Sequence, residues 1–199
     1  MGYSNFKRLE YVTKRFGLSA KFKAHFDEKF TPIEPSDWLK ETLETAKLFP
    51  LRNEKVKSER IVSPILVEVA KAFKDSVTLF SGEELIVNPE EDLAGACDFF
   101  FILEPYQPYL ESPIASLVEA KDEDMDYGIA QCAAQLYAAK LFNEREGKDI
   151  PVLYGCASTG VEWQFLSFEN GVFYLDNKSY TEIREILGVW YYIIQTFVR

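Results

Sequence analysis

Apolar residues recur along the middle of the chain with two different periods, and each period predicts one kind of element. Residues 58 to about 73 carry an apolar stripe at helical spacing, which predicts a helix with one buried face. Three apolar runs then follow, over residues 77–87, 97–103 and 114–121, and they predict strands. Turn-rich segments separate these runs, so hairpin connections predict an antiparallel meander.

The pattern after the meander predicts a long helix and a returning strand. Residues 125–146 are rich in alanine on an apolar face, which permits close packing of a helix on a sheet. Residues 150–157 form a short apolar run, and a helix of this length is the usual crossover to a parallel neighbour. A hairpin turning at Asn170 and Gly171 and a terminal helix after Thr181 complete the chain.

This order of elements predicts an α/β fold of the α+β type, with a mixed central sheet flanked by helices. An opening helical segment and a second helix, which Ser36 or Asp37 can cap, precede that core. We therefore predict an N-terminal helical appendage over residues 1–57 and a main domain over 58–199. The core of the main domain covers about residues 58–157, and the hairpin and terminal helix are additions to it.

Composition agrees with a domain that folds around an apolar core. The 199 residues are 47% hydrophobic and 15% aromatic, which is well above the range of disordered chains. The three cysteines, Cys97, Cys132 and Cys156, are widely spaced and suggest reduced, buried thiols rather than a disulfide framework. Neither a basic-apolar leader nor a long apolar run is present in the sequence, so we expect a cytoplasmic protein with no membrane segment.

The net charge of −10 argues against nonspecific binding along a phosphate backbone, because such binding depends on Lys and Arg displacing counterions. The distribution of charge weakens that objection. Residues 1–30 hold seven basic and three acidic side chains, a surplus of four positive charges, and the other 169 residues carry −14. The basic N-terminal residues are therefore candidates for contact with a polyanion, although a solvated helical face would have the same composition.

Charged residues at the ends of the predicted strands form the candidate site. Glu119 and Lys121 are two residues apart, so they lie on the same face of their strand. Asp98 opens the preceding apolar run, and antiparallel pairing brings the start of one strand near the end of the other. Carboxylate oxygens are the ligands that Mg²⁺ and Mn²⁺ prefer. A strand-end ion pair and a turn-capping Asp are the simpler alternatives.

Two helices offer further polar groups. Glu59 lies at the predicted start of the first core helix, where an acid is also favoured by the helix dipole. Gln131 and Gln135 lie four residues apart on the helix after Lys121, so one ridge could direct amides toward a phosphate or a bound water. Surface glutamines are common on helices, and these two carry little weight alone.

In their order along the chain, these residues resemble the PD-(D/E)XK nuclease superfamily, whose restriction-endonuclease-like core runs helix, three strands, helix, strand. The resemblance covers about residues 58–157. By position, Asp98 resembles the metal-binding Asp of the family's second core strand, and Glu119 with Lys121 resembles the (D/E)XK element. Glu59 resembles the acid on the first helix. Gln131, with Gln135 as a substitute, resembles the polar residue on the following helix, whereas Cys97 stands where the motif has proline.

The resemblance implies a metal-dependent nuclease, either a DNA endonuclease or a related phosphodiesterase. Asp98, Glu119 and the Ala120 carbonyl would bind Mg²⁺ or Mn²⁺, and Lys121 would orient or deprotonate the attacking water. Glu59 and Gln131 would complete the outer coordination or hold a second ion. DNA is the expected substrate, and cutting both strands usually needs two active sites, so we expect a homodimer.

Other functions fit parts of the pattern. A catalytically inactive interaction or regulatory module with the same fold would suit the acidic surface. A small-molecule binding α/β domain is a weaker alternative, since the sequence has no glycine-rich phosphate loop. The acidic residues Asp122, Glu123, Asp124 and Asp126 would repel a phosphate backbone, although Asp124 or Asp126 can instead cap the long helix.

Overall fold

A mixed sheet of seven strands forms the centre of the fold in a computed structural model that describes residues 2–24, 26, 29–121 and 124–198. In spatial order the sheet is β1-β7-β6-β5-β4-β3-β2. The strands are β1 (Ser19–Lys23), β2 (Thr78–Ser81), β3 (Phe99–Ile102), β4 (Ile114–Ala120), β5 (Val152–Ser158), β6 (Trp163–Glu169) and β7 (Val172–Asp176).

Helices cover both faces of this sheet. They are α1 (Leu9–Phe16), α2 (Asp37–Ala46), α3 (Glu54–Lys57), α4 (Ser63–Ala72), α5 (Met125–Arg145) and α6 (Ile183–Phe197). A π-helical turn, Ser58–Val62, joins α3 to α4 without a break. Within the described ranges, no helix is both long and apolar enough to cross a membrane.

The predicted mixed α/β class, a mixed sheet flanked by helices, is confirmed. Strands β2, β3 and β4 pair antiparallel as a meander, and α5 then leads to β5, which pairs parallel with β4. Strands β6 and β7 form the expected hairpin. Asn170 and Gly171 turn it with φ values of 49° and 76°, the left-handed region that such a tight turn requires.

Alternation along the central strands sorts their side chains between two apolar layers. On one face, Phe100 and Leu117 pack in a cluster with Leu136 of α5. On the other face, Phe101 and Val118 join a cluster with the residues of α4 and α6. Because both faces are covered, a polar side chain on either central strand lies in a nearly dry environment unless it reaches the edge of a helix.

The N-terminal segment differs from the predicted helical appendage in two respects. Residues 19–23 form β1, which pairs parallel with β7 and extends the sheet, so residues 1–57 are not wholly helical. All five residues of β1 are exposed, but Ala20 and Phe22 alternate with polar residues, so the sequence held a short strand signal that the prediction of a helical segment overlooked. The first core helix also begins at Glu54 rather than at residue 58, because the Asn53 side chain caps it by accepting the Val56 N–H at 3.0 Å.

Asn143 ties the end of α5 to the start of β4. Its Nδ2 donates to the Ile114 carbonyl and its Oδ1 accepts the Ile114 N–H, both at 2.8 Å, and the side chain is fully buried. These bonds satisfy two buried backbone groups beyond the bulge where β3 and β4 shift register. Asn143 therefore fixes where the strand that carries Glu119 begins.

We expect Asn143→Ala to lower the free energy of unfolding by roughly 2–4 kcal/mol, because both backbone groups of Ile114 would be buried without a partner. Urea denaturation measures this change. The matched control is Asn177→Ala, since Asn177 is exposed and its removal should change stability by less than ~0.5 kcal/mol. Equal effects of the two substitutions would contradict the assigned role.

Candidate active site

Antiparallel pairing of β3 with β4 sets Asp98 opposite Glu119. Phe99 pairs with Val118, so the next position outward pairs Asp98 with Glu119. Residues directly opposite each other in an antiparallel pair project from the same face of the sheet. A short hydrogen bond holds the arrangement, since the Ala120 N–H donates to Asp98 Oδ2 at 2.7 Å. The structure thus brings together the two acids that the sequence indicated, on the face covered by α5.

Lys121 lies beside the two acids. Its Nζ is 2.7 Å from Glu119 Oε1, and both residues are nearly buried, with 8% and 4% of their surface exposed. The backbone of β4 is fixed there by β5, because the Lys121 N–H donates to the Ser158 carbonyl at 2.7 Å. A buried ion pair is stabilising only when further hydrogen bonds satisfy its members, so the neighbouring polar groups matter.

Helix α5 supplies one such group. Gln135 Nε2 donates to Glu119 Oε2 at 2.7 Å, so each oxygen of this carboxylate has one partner. Gln131, one turn earlier, is also buried but makes no hydrogen bond to the acids within the described residues. Neither glutamine's Oε1 has a hydrogen-bond partner among the described residues. Gly128 allows the close approach of the helix, since a Cβ there would lie 3.0 Å from Lys121 Cγ.

The acid that reaches the site from the first core helix is Glu54, not Glu59. Glu54 Oε1 is 3.6 Å from Lys121 Nζ. Glu59 is exposed, pairs with Lys55 at 3.8 Å and lines a separate cavity beside Arg60. Glu54 lies in α3 and Glu59 in the π-helical turn that follows it, and their carboxylates contact different lysines. Among the described residues, the structure does not bring Glu59 into contact with Asp98, Glu119 or Lys121.

A capping signal in the sequence could have identified Glu54. Asn53 is a favoured N-cap residue, and Glu54 directly after it is an acid in a first helical turn. The prediction began at residue 58 because the apolar stripe begins near there. The π-helical turn Ser58–Val62 then shifts the phase of the stripe relative to α3.

Burial and mutual repulsion disfavour the charged forms of the two acids. Burial, reinforced by the charge of Asp98, raises the pKa of Glu119 from 4.5 to about 7, although Lys121 and Gln135 oppose the rise. Burial also raises the pKa of Asp98, against the Ala120 N–H that it accepts. Burial favours the neutral amine of Lys121, but Glu119 and the other carboxylates outweigh it and raise the pKa of Lys121. One lysine therefore compensates the carboxylates only in part.

An aromatic ring joins the site to the N-terminal segment. Lys121 Nζ is 5.4 Å from the centroid of the Tyr127 ring, and Lys7 Nζ is 4.0 Å from the same centroid. Tyr127 also donates its hydroxyl hydrogen bond to the Ser4 carbonyl at 3.0 Å. Sequence reasoning did not identify Tyr127, because its neighbours at the N-terminus are more than a hundred residues away along the chain.

The acidic run after Lys121 is explained in part by helix capping. Asp124 is the N-cap of α5, and its carboxylate accepts the Tyr127 N–H at 2.9 Å, which confirms the capping prediction. Asp126 lies in the first turn of the same helix, where the dipole favours an acid. Asp122 and Glu123 lie outside the described residues.

The oxygen atoms at the site suit a hard divalent cation bound partly by water. Across the part of the chain that the structure describes, no three His, Cys, Asp or Glu side chains form a group able to hold a metal ion. Mg²⁺, however, is commonly held by one or two carboxylates and keeps several waters. Asp98 and Glu119 supply two carboxylates, and the Ala120 peptide contacts one of them. The unpartnered amide oxygens of the two glutamines add neutral acceptors nearby.

Comparison with known proteins adds no further constraint. No protein-family model, curated protein or solved structure is significantly similar to this chain.

We expect the free energy of unfolding of the metal-free protein to fall, relative to Glu119→Gln, as the pH rises from 4.5 to about 7. The raised pKa means that the folded protein holds this proton more tightly than the unfolded chain. The resulting stability is complete below the ordinary pKa and is lost through the folded-state pKa. The difference should approach about 3 kcal/mol and is measured by urea denaturation in EDTA.

A surface acid provides the control for this measurement. Glu144→Gln alters a half-exposed carboxylate of α5 and should leave the pH dependence parallel to that of the natural chain. If Glu119→Gln also gives a parallel curve, Glu119 titrates normally and the electrostatic description of the site is incorrect.

Proposed function

We propose that this protein is a metal-dependent nuclease with a restriction-endonuclease-like core, acting as a DNA endonuclease or a related phosphodiesterase. The observation that carries the proposal is the position of Asp98 and Glu119, opposite each other on neighbouring strands and on one face. Lys121 lies 2.7 Å from Glu119 on the same face. This places two acids and a lysine together in the order of the PD-(D/E)XK motif.

The topology supports the same assignment. From Glu54 to Ser158 the chain forms a helix, an antiparallel meander, a second helix and a strand parallel to the last strand of the meander. The motif residues lie at the start of the second core strand and the end of the third, where the family carries them. The N-terminal segment and the hairpin add strands on the side of β5 away from the site.

Asp98, Glu119 and the carbonyl of Ala120 are the proposed ligands of Mg²⁺ or Mn²⁺. When bound, the cation would polarise the scissile phosphate and make a water molecule more acidic. Asp98 and Glu119 have raised pKa values that a positive charge between them would lower, so the residues fit the group. Asp98 keeps its orientation through the Ala120 N–H that Oδ2 accepts.

The remaining side chains orient the reacting groups. The Lys121 ammonium pairs with Glu119 and is placed to stabilise charge on a phosphate oxygen or to hold the attacking water. Glu54 contacts Lys121 at 3.6 Å and restricts where its ammonium group lies. Gln135 holds the second oxygen of Glu119, so that the carboxylate cannot rotate away from Asp98. Gln131 lies one turn before Gln135 on α5 and is the proposed source of a further neutral acceptor.

The net charge of −10 favours a second candidate function, a noncatalytic interaction or regulatory module on the same fold. DNA remains the preferred substrate because one of the basic N-terminal residues lies close to the proposed active site. Lys7 packs on the ring of Tyr127, which also lies beside Lys121. Positive charge is thus brought to the site even though the rest of the chain is acidic.

We expect Mg²⁺ or Mn²⁺ to stabilise the protein at pH 8, where Glu119 is ionised. At a cation concentration 100 times the dissociation constant the gain is about 2.7 kcal/mol, or roughly 5–10 °C in Tm. Differential scanning fluorimetry measures it. Asp98→Asn should lose most of the shift, whereas Asp149→Asn, whose side chain is 89% exposed, should retain it. A Tm that does not respond to either cation would contradict the metal site.

We expect cleavage of plasmid and linear DNA with Mg²⁺ that falls roughly 10²- to 10³-fold in Lys121→Ala, since a charge-stabilising group is removed. Glu54→Gln should reduce the rate roughly 10-fold, as loss of an outer positioning contact does. Glu59→Gln is the matched control, because it removes the equivalent charge from the same helical run but lies outside the site.

The outcomes separate the candidate functions. Cleavage that persists in Lys121→Ala would indicate contamination and refute the mechanism. Cation binding without cleavage in any preparation would favour the noncatalytic module. Equal rates for Glu54→Gln and the natural chain would remove Glu54 from the mechanism and leave the two-carboxylate centre in place.

A further inference from the structure

A cavity of about 610 Å³ lies between the start of α1, strand β1 and the first turn of α5. Its volume is within the range of cavities that hold small organic ligands. Its walls combine three chemical types, namely cations, carboxylates and apolar side chains. The lining residues are Lys7, Arg8, Leu9, Ala20, Lys21, Phe22, Asp124, Asp126, Ile129 and Leu175.

Three cations lie on the side formed by the N-terminal segment. Lys7, Arg8 and Lys21 are exposed, and none of them forms an ion pair with another residue in the described ranges. They belong to residues 1–30, which hold a surplus of four positive charges, whereas the other 169 residues carry −14. Such a group binds phosphate through charge and does not read sequence.

Phe22 supplies an aromatic surface at the same cavity. Phe22 pairs with Leu175 across β1 and β7, so its side chain lies on the sheet face that α1 and α5 cover, yet 75% of the residue's surface is exposed. The ring is therefore not part of the core. An exposed aromatic ring between basic residues is the arrangement on which proteins stack the bases of single strands.

Two carboxylates also line the cavity, and they disfavour a ligand that offers nothing but negative charge. Asp124 and Asp126 are exposed at the start of α5 and would repel phosphate, but carboxylates accept hydrogen bonds from the amino groups of bases. A nucleotide carries all three complementary parts: a phosphate for the cations, a ring for Phe22 and amino groups for the acids.

The cavity is connected to the candidate active site by the Tyr127 ring. Lys7, on the cavity wall, and Lys121, at the site, are 4.0 Å and 5.4 Å from its centroid, so their Nζ atoms are at most 9.4 Å apart. That is a few nucleotides along one strand. One strand can therefore place a phosphate at Lys121 and a neighbouring nucleotide in the cavity.

We propose that this cavity binds an unpaired nucleotide next to the phosphate to be cut, so that the substrate is single-stranded DNA or a duplex with an unpaired flank. The inference rests on the proposed nuclease function and names its substrate class. The strand must be unpaired there, because a base inside a duplex cannot present its face to Phe22.

The test measures binding without catalysis. Fluorescence anisotropy in EDTA follows a labelled single strand of about 12 nucleotides, the matching duplex and a strand with abasic sites. The natural chain should bind the single strand more tightly than the duplex. Phe22→Ala should weaken binding of the single strand roughly 5- to 100-fold and leave binding of the abasic strand unchanged. Lys21→Ala should weaken binding of the normal single strand and of the abasic strand.

Tyr109→Ala is the matched control, since Tyr109 is 69% exposed and does not line this cavity. It should leave all three affinities unchanged, and thermal melting should show that each variant is folded. An unaffected single-strand affinity in Phe22→Ala would overturn the proposal. Equal losses on the normal and abasic strands, or equal binding of duplex and single strand, would overturn it as well.

The binding result and the cleavage result are independent. Base-dependent binding through Phe22, without any Lys121-dependent cleavage, would support the cavity and refute the nuclease. Cleavage that depends on Lys121, with no effect of Phe22→Ala on binding, would support the nuclease and refute the cavity.

Discussion

The register of β3 against β4 is the constraint on which the site depends. It places Asp98 opposite Glu119 on a sheet that is covered on both faces, so two carboxylates meet where water is scarce. Three neighbouring groups compensate that arrangement in part: the Ala120 N–H for Asp98, and Lys121 and Gln135 for Glu119. The compensation is incomplete, and this leaves the acids with raised pKa values and an electrostatic preference for a further positive charge.

The same constraint explains why α5 is anchored at both ends. Asp124 caps its start by accepting the Tyr127 N–H, and Asn143 joins its end to the first residue of β4. Between these points the helix must hold Gln135 within hydrogen-bond reach of Glu119. A shift of one turn would bring another residue to the carboxylate, so the two anchors keep the amide where the buried charge needs it.

Local patterns in the sequence were sufficient to predict the mixed sheet and the proximity of the three residues at the centre of the candidate site. Alternation placed Glu119 and Lys121 on one face, and turn-rich loops predicted the meander that brings Asp98 to them. Local patterns did not predict elements with a weak sequence signal or contacts between residues far apart in the chain. Strand β1 is short and wholly exposed, and it was not predicted. The apolar stripe begins near the π-helical turn after α3, so the predicted helix started too late and Glu54 was missed. The contact of Lys7 with Tyr127 depends on tertiary packing, which local periodicity does not encode.

The fold also determines where the basic N-terminal residues lie in space. The basic residues are concentrated at the N-terminus, and strand β1, by pairing with β7, holds Lys21 beside the start of α5 rather than leaving it on a free segment. Positive potential is thus local, and the acidic remainder of the chain repels a long phosphate backbone. A protein with few cations gains little from counterion release along a duplex. For the proposed nuclease, recognition must then come from a few contacts near the site, which is the condition under which an exposed aromatic ring and base-binding carboxylates contribute most to affinity.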